Sequence, residues 1–260
     1  MTAEPLDIRR DPRGVVYLTL NTPARRNVLS PQMIAGLTAF ARDPGPARAV
    51  VLAGAGPVFC AGGDLGWMQE QIAADRAQRL REAGKLAAML EALNTLPVPL
   101  IGRLHGGAFG GGIGLACVCD MVLATPDTKF CFPETRLGII PATIGPYVLA
   151  RMGEGRARRV FMSGRVFGAE EAEALGIVSR IAEEAALDAA VEAEVLPYLS
   201  AAPGAVAAAK ALARTLGPQI DAGVIADSIR RLADIWEGPE AVAGVRAFLD
   251  KTPPPWQHGS

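Results

Sequence analysis

The stretch His105-Gly-Gly-Ala-Phe-Gly-Gly-Gly-Ile-Gly-Leu-Ala-Cys-Val-Cys-Asp120 decides how the chain is read. It follows Pro97-Val-Pro-Leu-Ile-Gly-Arg-Leu104, an apolar, proline-flanked run that reads as a strand. It then passes into small and apolar residues that read as a buried helix. The glycines cluster at the strand-to-helix turn, where the missing side chain lets backbone N–H groups approach a ligand closely. The first N–H groups of a helix have no acceptor within it and carry the positive end of its dipole. Such a turn suits an oxyanion, a carboxylate or a phosphate.

Working outward, a second glycine turn precedes it: Phe59-Cys-Ala-Gly-Gly-Asp-Leu65, with Asp64 as a plausible N-cap of a helical region over 65–96. Leu86, Met89, Leu90 and Leu93 form the stripe of that region, and Asp75-Arg76 and Gly84 are its candidate breaks. Upstream, Val15–Leu20 and Ala49–Ala53 read as strands, the second continuously apolar and suited to a sheet covered on both faces. Ser30-Pro31 pairs a capping hydroxyl with a proline at the first helical position, and Asp43-Pro-Gly-Pro46 stops that helix. Downstream, Met121–Ala124, Lys129–Phe132 and Ile177–Ile181 read as strands, the last of them closing the series. Short helices are expected over 144–152, 156–162 and 169–175, with Gly176 as a left-handed cap. From Glu183 onward only helices are expected, over 185–199, 203–216, 220–236 and 239–251. Alternating strands and helices followed by helices alone give an α/β core with a helical C-terminal part.

Composition narrows the function classes. The chain has 260 residues, half of them hydrophobic, with a formal net charge of −1. No basic face is advertised, so nucleic acid is not an expected partner. The N-terminal segment MTAEPLDIRRDPRG has no apolar core of a signal peptide, and the uncharged run from Leu104 to Cys119 is short for a membrane span. A cytoplasmic protein without membrane partners is expected. Cys60, Cys117, Cys119 and Cys131 form no C-x-x-C and read as reduced, buried thiols. His105 and His258 are the only histidines, so no metal site is expected.

The chemistry rests on what remains. The phosphate-loop, dinucleotide and nucleophile-elbow patterns are absent. Two separate glycine turns could each aim one N–H at a single carbonyl oxygen, and each such donor is worth on the order of 3 kcal/mol of transition-state stabilisation. Glu134 ends a strand amid apolar residues, where burial can raise a carboxyl pKa towards neutrality and fit it for proton transfer. Beside these stand blander readings: glycine turns are often only turns, His105 braces one, and Trp67, Met68 and Tyr147 can be core residues.

Three motifs in order resemble the crotonase superfamily of enoyl-CoA hydratases and isomerases: Phe59–Leu65, Gly106-Gly-Ala-Phe-Gly-Gly-Gly112 and Phe132-Pro-Glu-Thr-Arg-Leu-Gly-Ile-Ile-Pro141. Gly153–Met162 and Ala169–Val178 are also similar to that family, so the resemblance spans nearly the whole chain. It implies an α/β fold, a crotonase-type spiral of β-β-α units over 1–182, with a helical C-terminal region over 183–260 that assembles trimers, often paired into hexamers. It implies an acyl-CoA thioester whose carbonyl lies between the N–H groups of Gly63 and Gly111, with Glu134 exchanging a proton at the α-carbon. CoA would run along Ala61, Gly62, Gly63, Asp64 and Leu65, near Gly111 and Trp67, with Phe248 and Lys251 on a C-terminal helix that reaches it in relatives. No cofactor is implied beyond the CoA of the substrate.

One departure matters. Typical hydratases of the family carry a first glutamate after the glycine run; here that position is Gly114. A single acid suits shuttling one proton between C2 and C4, as in a Δ3,Δ2-enoyl-CoA isomerase. Asp64-Leu-Gly-Trp-Met68, Leu86–Leu90 and Pro141–Tyr147 resemble instead a bacterial branch described as methylglutaconyl-CoA or isohexenylglutaconyl-CoA hydratase, whose members also tend to lack that acid. The expectation is therefore a hydro-lyase acting on an α,β-unsaturated, branched or carboxylated acyl-CoA. The isomerase and a non-catalytic acyl-CoA binder stand as alternatives.

Overall fold

The structure, a computed structural model, describes residues 4–257 and, at Leu65, the backbone alone; His258 lies outside the described residues. A six-stranded sheet is built in the order β1 (Leu6–Arg10), β2 (Val15–Leu20), β3 (Ala49–Gly54), β4 (Leu100–Leu104), β6 (Met121–Ala124) and β9 (Arg180–Ile181). The β1–β2 pair is antiparallel, with Leu6 opposite Leu20, and every later pair is parallel. A smaller sheet holds β5 (Gly107–Phe109), β7 (Lys129–Cys131) and β8 (Val166–Gly168), and Cys60 adds a single bridge to Ala108 at its edge.

The helices follow from local chemistry. In α1 (Pro31–Arg42) the Ser30 hydroxyl accepts from the Met33 N–H at 3.2 Å, satisfying one of the orphan donors of the first turn. Asp64 caps α2 (Leu65–Ala73) and Asp75 caps α3 (Arg76–Asn94) in the same way. Then come α4 (Gly111–Val118), α5 (Gly145–Met152), α6 (Glu154–Ala157) and α7 (Ala169–Ala174). Three turns of a β-β-α spiral are visible: β3, the Cys60 bridge and α2; β4, β5 and α4; β6, β7 and, after a 3-10 turn at Glu134–Leu137, α5.

Period-two alternation divides the main sheet between two cores. Val16, Leu18, Val50, Leu52 and Leu104 face the cluster that takes in α1, α3, α4 and α5. Val15, Ala49, Val51, Ile101 and Leu123 face Leu187, Val191 and Val195 of α8 (Glu184–Ser200). The doubly covered sheet expected from Ala49–Ala53 is thus present. After α8 come α9 (Pro203–Leu216), α10 (Ala222–Trp236) and α11 (Pro239–Asp250). The last two pack back over α2, α3 and the 3-10 turn, sharing a third core of Leu137, Ile139, Leu232, Trp236 and Val245. No single described helix is long and apolar enough to cross a membrane; α8 and α9 reach that composition only as a pair bent by 109°.

Several boundaries differ from the sequence reading. The glycine stretch contains β5, held by backbone pairing alone: the Cys60 N–H donates to the Gly107 carbonyl at 3.1 Å and the Phe109 N–H to that of Cys60 at 3.0 Å. Side-chain propensity carries no trace of such a strand. The helical region over 65–96 breaks at Ala74, where Asp75 restarts it, and runs through Gly84 because Ala83 and Ala87 on either side are buried. The helix expected over 156–162 is only Glu154–Ala157, followed by turns that bring Phe161 edge-on to Phe132 at 5.3 Å. The last strand shortens to Arg180–Ile181, and β1 and β8 were not foreseen.

Asp120 ties the sheet to the C-terminal helices. Its Oδ2 accepts from the Leu100 N–H at 2.8 Å and from Lys210 of α9 at 2.7 Å. Replacing it leaves the Leu100 N–H without its acceptor and the half-buried Lys210 ammonium with only the Val98 carbonyl at 3.1 Å. Asp120→Ala is expected to lower stability by about 2 kcal/mol, read as a fall in the urea midpoint at unchanged m-value; an unchanged midpoint would show that the pair braces nothing.

Candidate active site

The site begins with two glycine turns pressed together. Gly62 has φ +88°, and a Cβ there would lie 2.6 Å from the Phe109 carbonyl oxygen and 3.6 Å from the Gly111 nitrogen. Gly110 has φ +48° and also lacks room, because a Cβ would stand 2.8 Å from Glu134 Oε1. Both the left-handed backbone and the close approach therefore require glycine. Among the described residues, neither the Gly63 nor the Gly111 N–H has an acceptor. Gly111 is the first residue of α4, so its free N–H sits at the positive end of the helix.

Glu134 stands over this junction. It opens the 3-10 turn after β7, and its Oε2 is sealed from solvent without a hydrogen-bond partner. Burial pushes its pKa up to about 7, opposed to a smaller extent by its own backbone N–H. A carboxyl in that range both gives and takes protons near neutrality. The turn is fixed from behind by α11: a Cβ at Gly138 would strike the Glu240 carbonyl, and one at Gly244 would lie 2.5 Å from that of Leu137.

Gly63, Gly111 and Glu134 line one cavity of about 80 Å³, with Trp67 and Met68 on one wall and Ile139, Ile144, Leu232 and Trp236 on others. The structure thus brings together the two turns, the acid and Trp67. Ala61 and Gly62 lie behind the lining, and of Leu65 only the backbone is described. Asp64 is buried, but its carboxylate is already engaged: Oδ1 accepts from the Trp67 N–H at 3.1 Å and Oδ2 from Arg25. Its contribution is to fix the turn, with Arg25 as its partner. Phe248 is 53% exposed and Lys251 caps the end of α11; neither lines the cavity.

His105 braces a turn, its Nε2–H donating to the Gly56 carbonyl at 2.7 Å. Tyr147 faces a separate, larger cleft of about 780 Å³ beneath α9. Three of the charged groups lining that cleft are engaged in bracing, Lys210 with Asp120 and Arg151 with the carbonyls of Cys119 and Asp120. Size does not outweigh the convergence of donors and acid in the smaller cavity. Burial pushes the thiols of Cys60, Cys117 and Cys119 up to about 12, which leaves them unreactive.

Sequence reasoning missed Glu82, which lines the cavity from α3. Stepping back four residues from Leu86 along the α3 stripe leads to it: an acid on an apolar face. Leu29, Ile34 and Thr143 were also missed, and nothing local marks them. At Gly114 a Cβ would lie 3.0 Å from Ile144 Cβ and nearer still to its methyl group. The side chain that packs there occupies the space an acid would need.

The enoyl-CoA hydratase/isomerase family model matches residues 10–259. The chain belongs to that family. A solved enoyl-CoA hydratase of Mycobacterium smegmatis is 35% identical, covering 98% of this chain and 99% of its own, at a TM-score of 0.78. An enoyl-CoA hydratase/isomerase of Marinobacter aquaeolei is also 35% identical, covering 98% and 99%, at 0.77. An enoyl-CoA hydratase of Alternaria alternata is 32% identical over 90% of this chain and 78% of its own. The chain is therefore an enzyme of the hydratase/isomerase family with the crotonase fold.

The buried acid has a thermodynamic signature. Between the ordinary carboxyl pKa of about 4.5 and the folded value of about 7, the folded state holds a proton that the unfolded state has lost. Stability then falls as pH rises through that window and is flat above it. Glu134→Gln is expected to abolish the fall, making the variant more stable than the wild type by about 2–3 kcal/mol at pH 8 and equal to it at pH 4. Urea midpoints at the two pH values measure this; parallel curves would mean that the carboxyl is not buried.

Proposed function

We propose that the protein hydrates an α,β-unsaturated acyl-CoA thioester through an enolate-like intermediate. The reading is carried by one observation: two free N–H groups from distant turns and a buried, unpartnered carboxyl share one cavity. A thioester oxygen accepting from Gly63 and Gly111 gains stabilisation as negative charge builds on it. Glu134 then exchanges the proton at the α-carbon. The chemistry calls on proton transfer and peptide dipoles, and on no metal or redox group. CoA belongs to the substrate, with its pantetheine along the Ala61–Leu65 segment.

The substrate is proposed to be branched and carboxylated, as in 3-methylglutaconyl-CoA, following the resemblance of Asp64–Met68 and Pro141–Tyr147 to that branch. The isomerase reading has its own support in Gly114, where Ile144 excludes a second acid. Rates of 3-methylglutaconyl-CoA hydration and of 3-enoyl-CoA isomerisation by the pure protein separate them. Glu134→Gln is expected to lose at least about 100-fold in turnover while a CoA thioester still binds in calorimetry. Full activity in that variant would remove Glu134 from the reaction.

We also propose assembly into a trimer or a pair of trimers. None of the fourteen residues of α9 is buried in the single chain, and Leu212 and Leu216 on it are 59% and 78% exposed. Light scattering is expected to give three or six copies, and Leu212→Glu with Leu216→Glu to shift that to smaller species. A monomeric wild type would refute the assembly.

A further inference from the structure

The site has one carboxyl at the oxyanion turns, and the position that would hold a neighbouring one is filled by Ile144. Adding water across a double bond involves two proton movements. One proton leaves the attacking water at C3 and one arrives at C2. Among the described residues, Glu82 is the only titratable side chain besides Glu134 that lines the cavity. It lies one helical turn before Leu86, which lines the same cavity, and two turns before Leu90, whose Cδ2 is 3.7 Å from where a Cβ on Gly114 would be. The 82–86–90 row of α3 thus runs from the cavity towards the site of the missing acid. Its side chain keeps 20% of its surface exposed, and Lys85 anchors it from the solvent side, with Nζ 2.7 Å from Oε1. The carboxylate therefore stands between bulk water and the reacting centre.

We propose that Glu82 is the water-activating base of this enzyme, taking from α3 the part that a residue at position 114 cannot play. The proposal rests on the hydration reading above. Water oxygen bonds to C3 as Glu82 takes one of its protons; the C2=C3 electron pair moves onto the thioester as an enolate held by Gly63 and Gly111. Glu134 then delivers a proton to C2. The proton left on Glu82 returns through solvent to Glu134, so one water is consumed and both acids are restored. Division of labour of this kind predicts that the two carboxyls affect different half-reactions. Removing a proton from the α-carbon of a saturated acyl-CoA needs the oxyanion turns and Glu134 but no attack of water at C3.

The test compares wild type, Glu82→Gln, Glu82→Asp and Glu134→Gln in two assays. One is hydration of crotonyl-CoA and 3-methylglutaconyl-CoA; the other is exchange of the α-protons of butyryl-CoA in deuterated water, followed by NMR. Glu82→Gln is expected to lower the kcat of hydration by about 100-fold with KM little changed, and to lower exchange by less than about threefold. Glu82→Asp should recover part of the hydration rate, and Glu134→Gln should lose both activities. Hydration by Glu82→Gln at the wild-type rate would overturn the proposal, as would parallel loss of hydration and exchange, the mark of a merely structural residue. A wild type that exchanges α-protons and isomerises 3-enoyl-CoA but hydrates neither substrate would remove the hydration reading and this one with it. A wild type inactive in every assay would remove the enzymatic use of the cavity itself.

Discussion

Everything at this site depends on two stretches of backbone touching without side chains between them. Gly62 lies against the Phe109–Gly111 segment at a separation that a single Cβ would abolish, and both Gly62 and Gly110 have left-handed φ angles. The contact has a structural origin: the Cys60–Ala108 bridge and the β5–β7 pair draw the two turns into one small sheet. Among the described residues, the N–H groups of Gly63 and Gly111, just beyond that pairing, have no acceptor. Fold and chemistry are therefore the same hydrogen-bond pattern seen from two sides. The strands use backbone groups on either side of the turns, and the Gly63 and Gly111 N–H groups that they do not use are free for a substrate oxygen.

The acid is placed by a different set of forces. Glu134 follows β7 in a short 3-10 turn that would be free to swing in isolation, and its carboxyl is costly to bury. What holds it is α11, which meets the turn at Gly138 and Gly244, both places where a side chain would prevent the approach. The C-terminal helices thus take part in the site of their own chain, with Leu232 and Trp236 completing its wall. The raised pKa of Glu134 follows directly, since the same packing that fixes the carboxyl strips its water.

Much of this is legible in the sequence alone. The two glycine turns, the acid and most helix starts carry local signals: Ser30, Asp64 and Asp75 bond the N–H groups three residues on, and the Pro203 and Pro239 helices begin at their prolines. What was hidden is non-local. β5 exists because of β7, not because Gly-Ala-Phe favours a strand. Asp64 reads in sequence as an N-cap and, by resemblance, as a CoA contact; the cap is present, and Arg25 also engages its carboxylate. Phe248 and Lys251 were assigned by resemblance, and their helix turns other residues towards the turn of Glu134. Glu82 was missed because an acid at the end of an apolar stripe looks, in one dimension, like the solvent-facing side of a helix.

Gly114 shows how a site can change its chemistry without changing its frame. Its neighbours in α4 are buried, and Ile144 fills the space beside it with a branched side chain, so the glycine is as much a packing choice as the isoleucine. An acid at 114 would have to displace that contact, and overpacking of this kind costs about 1–3 kcal/mol before any charge is buried. A carboxylate on α3 does not meet that obstacle. At position 82 it keeps a fifth of its surface exposed and is paired with Lys85, while the helix that carries it is already fixed by Ala83, Ala87 and Leu90 in the core. A dry acid beside the oxyanion turns and a wet one at the rim are physically unlike groups. The first is held near neutrality by burial, and the second has ready access to water. Addition of water across a polarised double bond calls for a proton acceptor beside C3 and a proton donor beside C2.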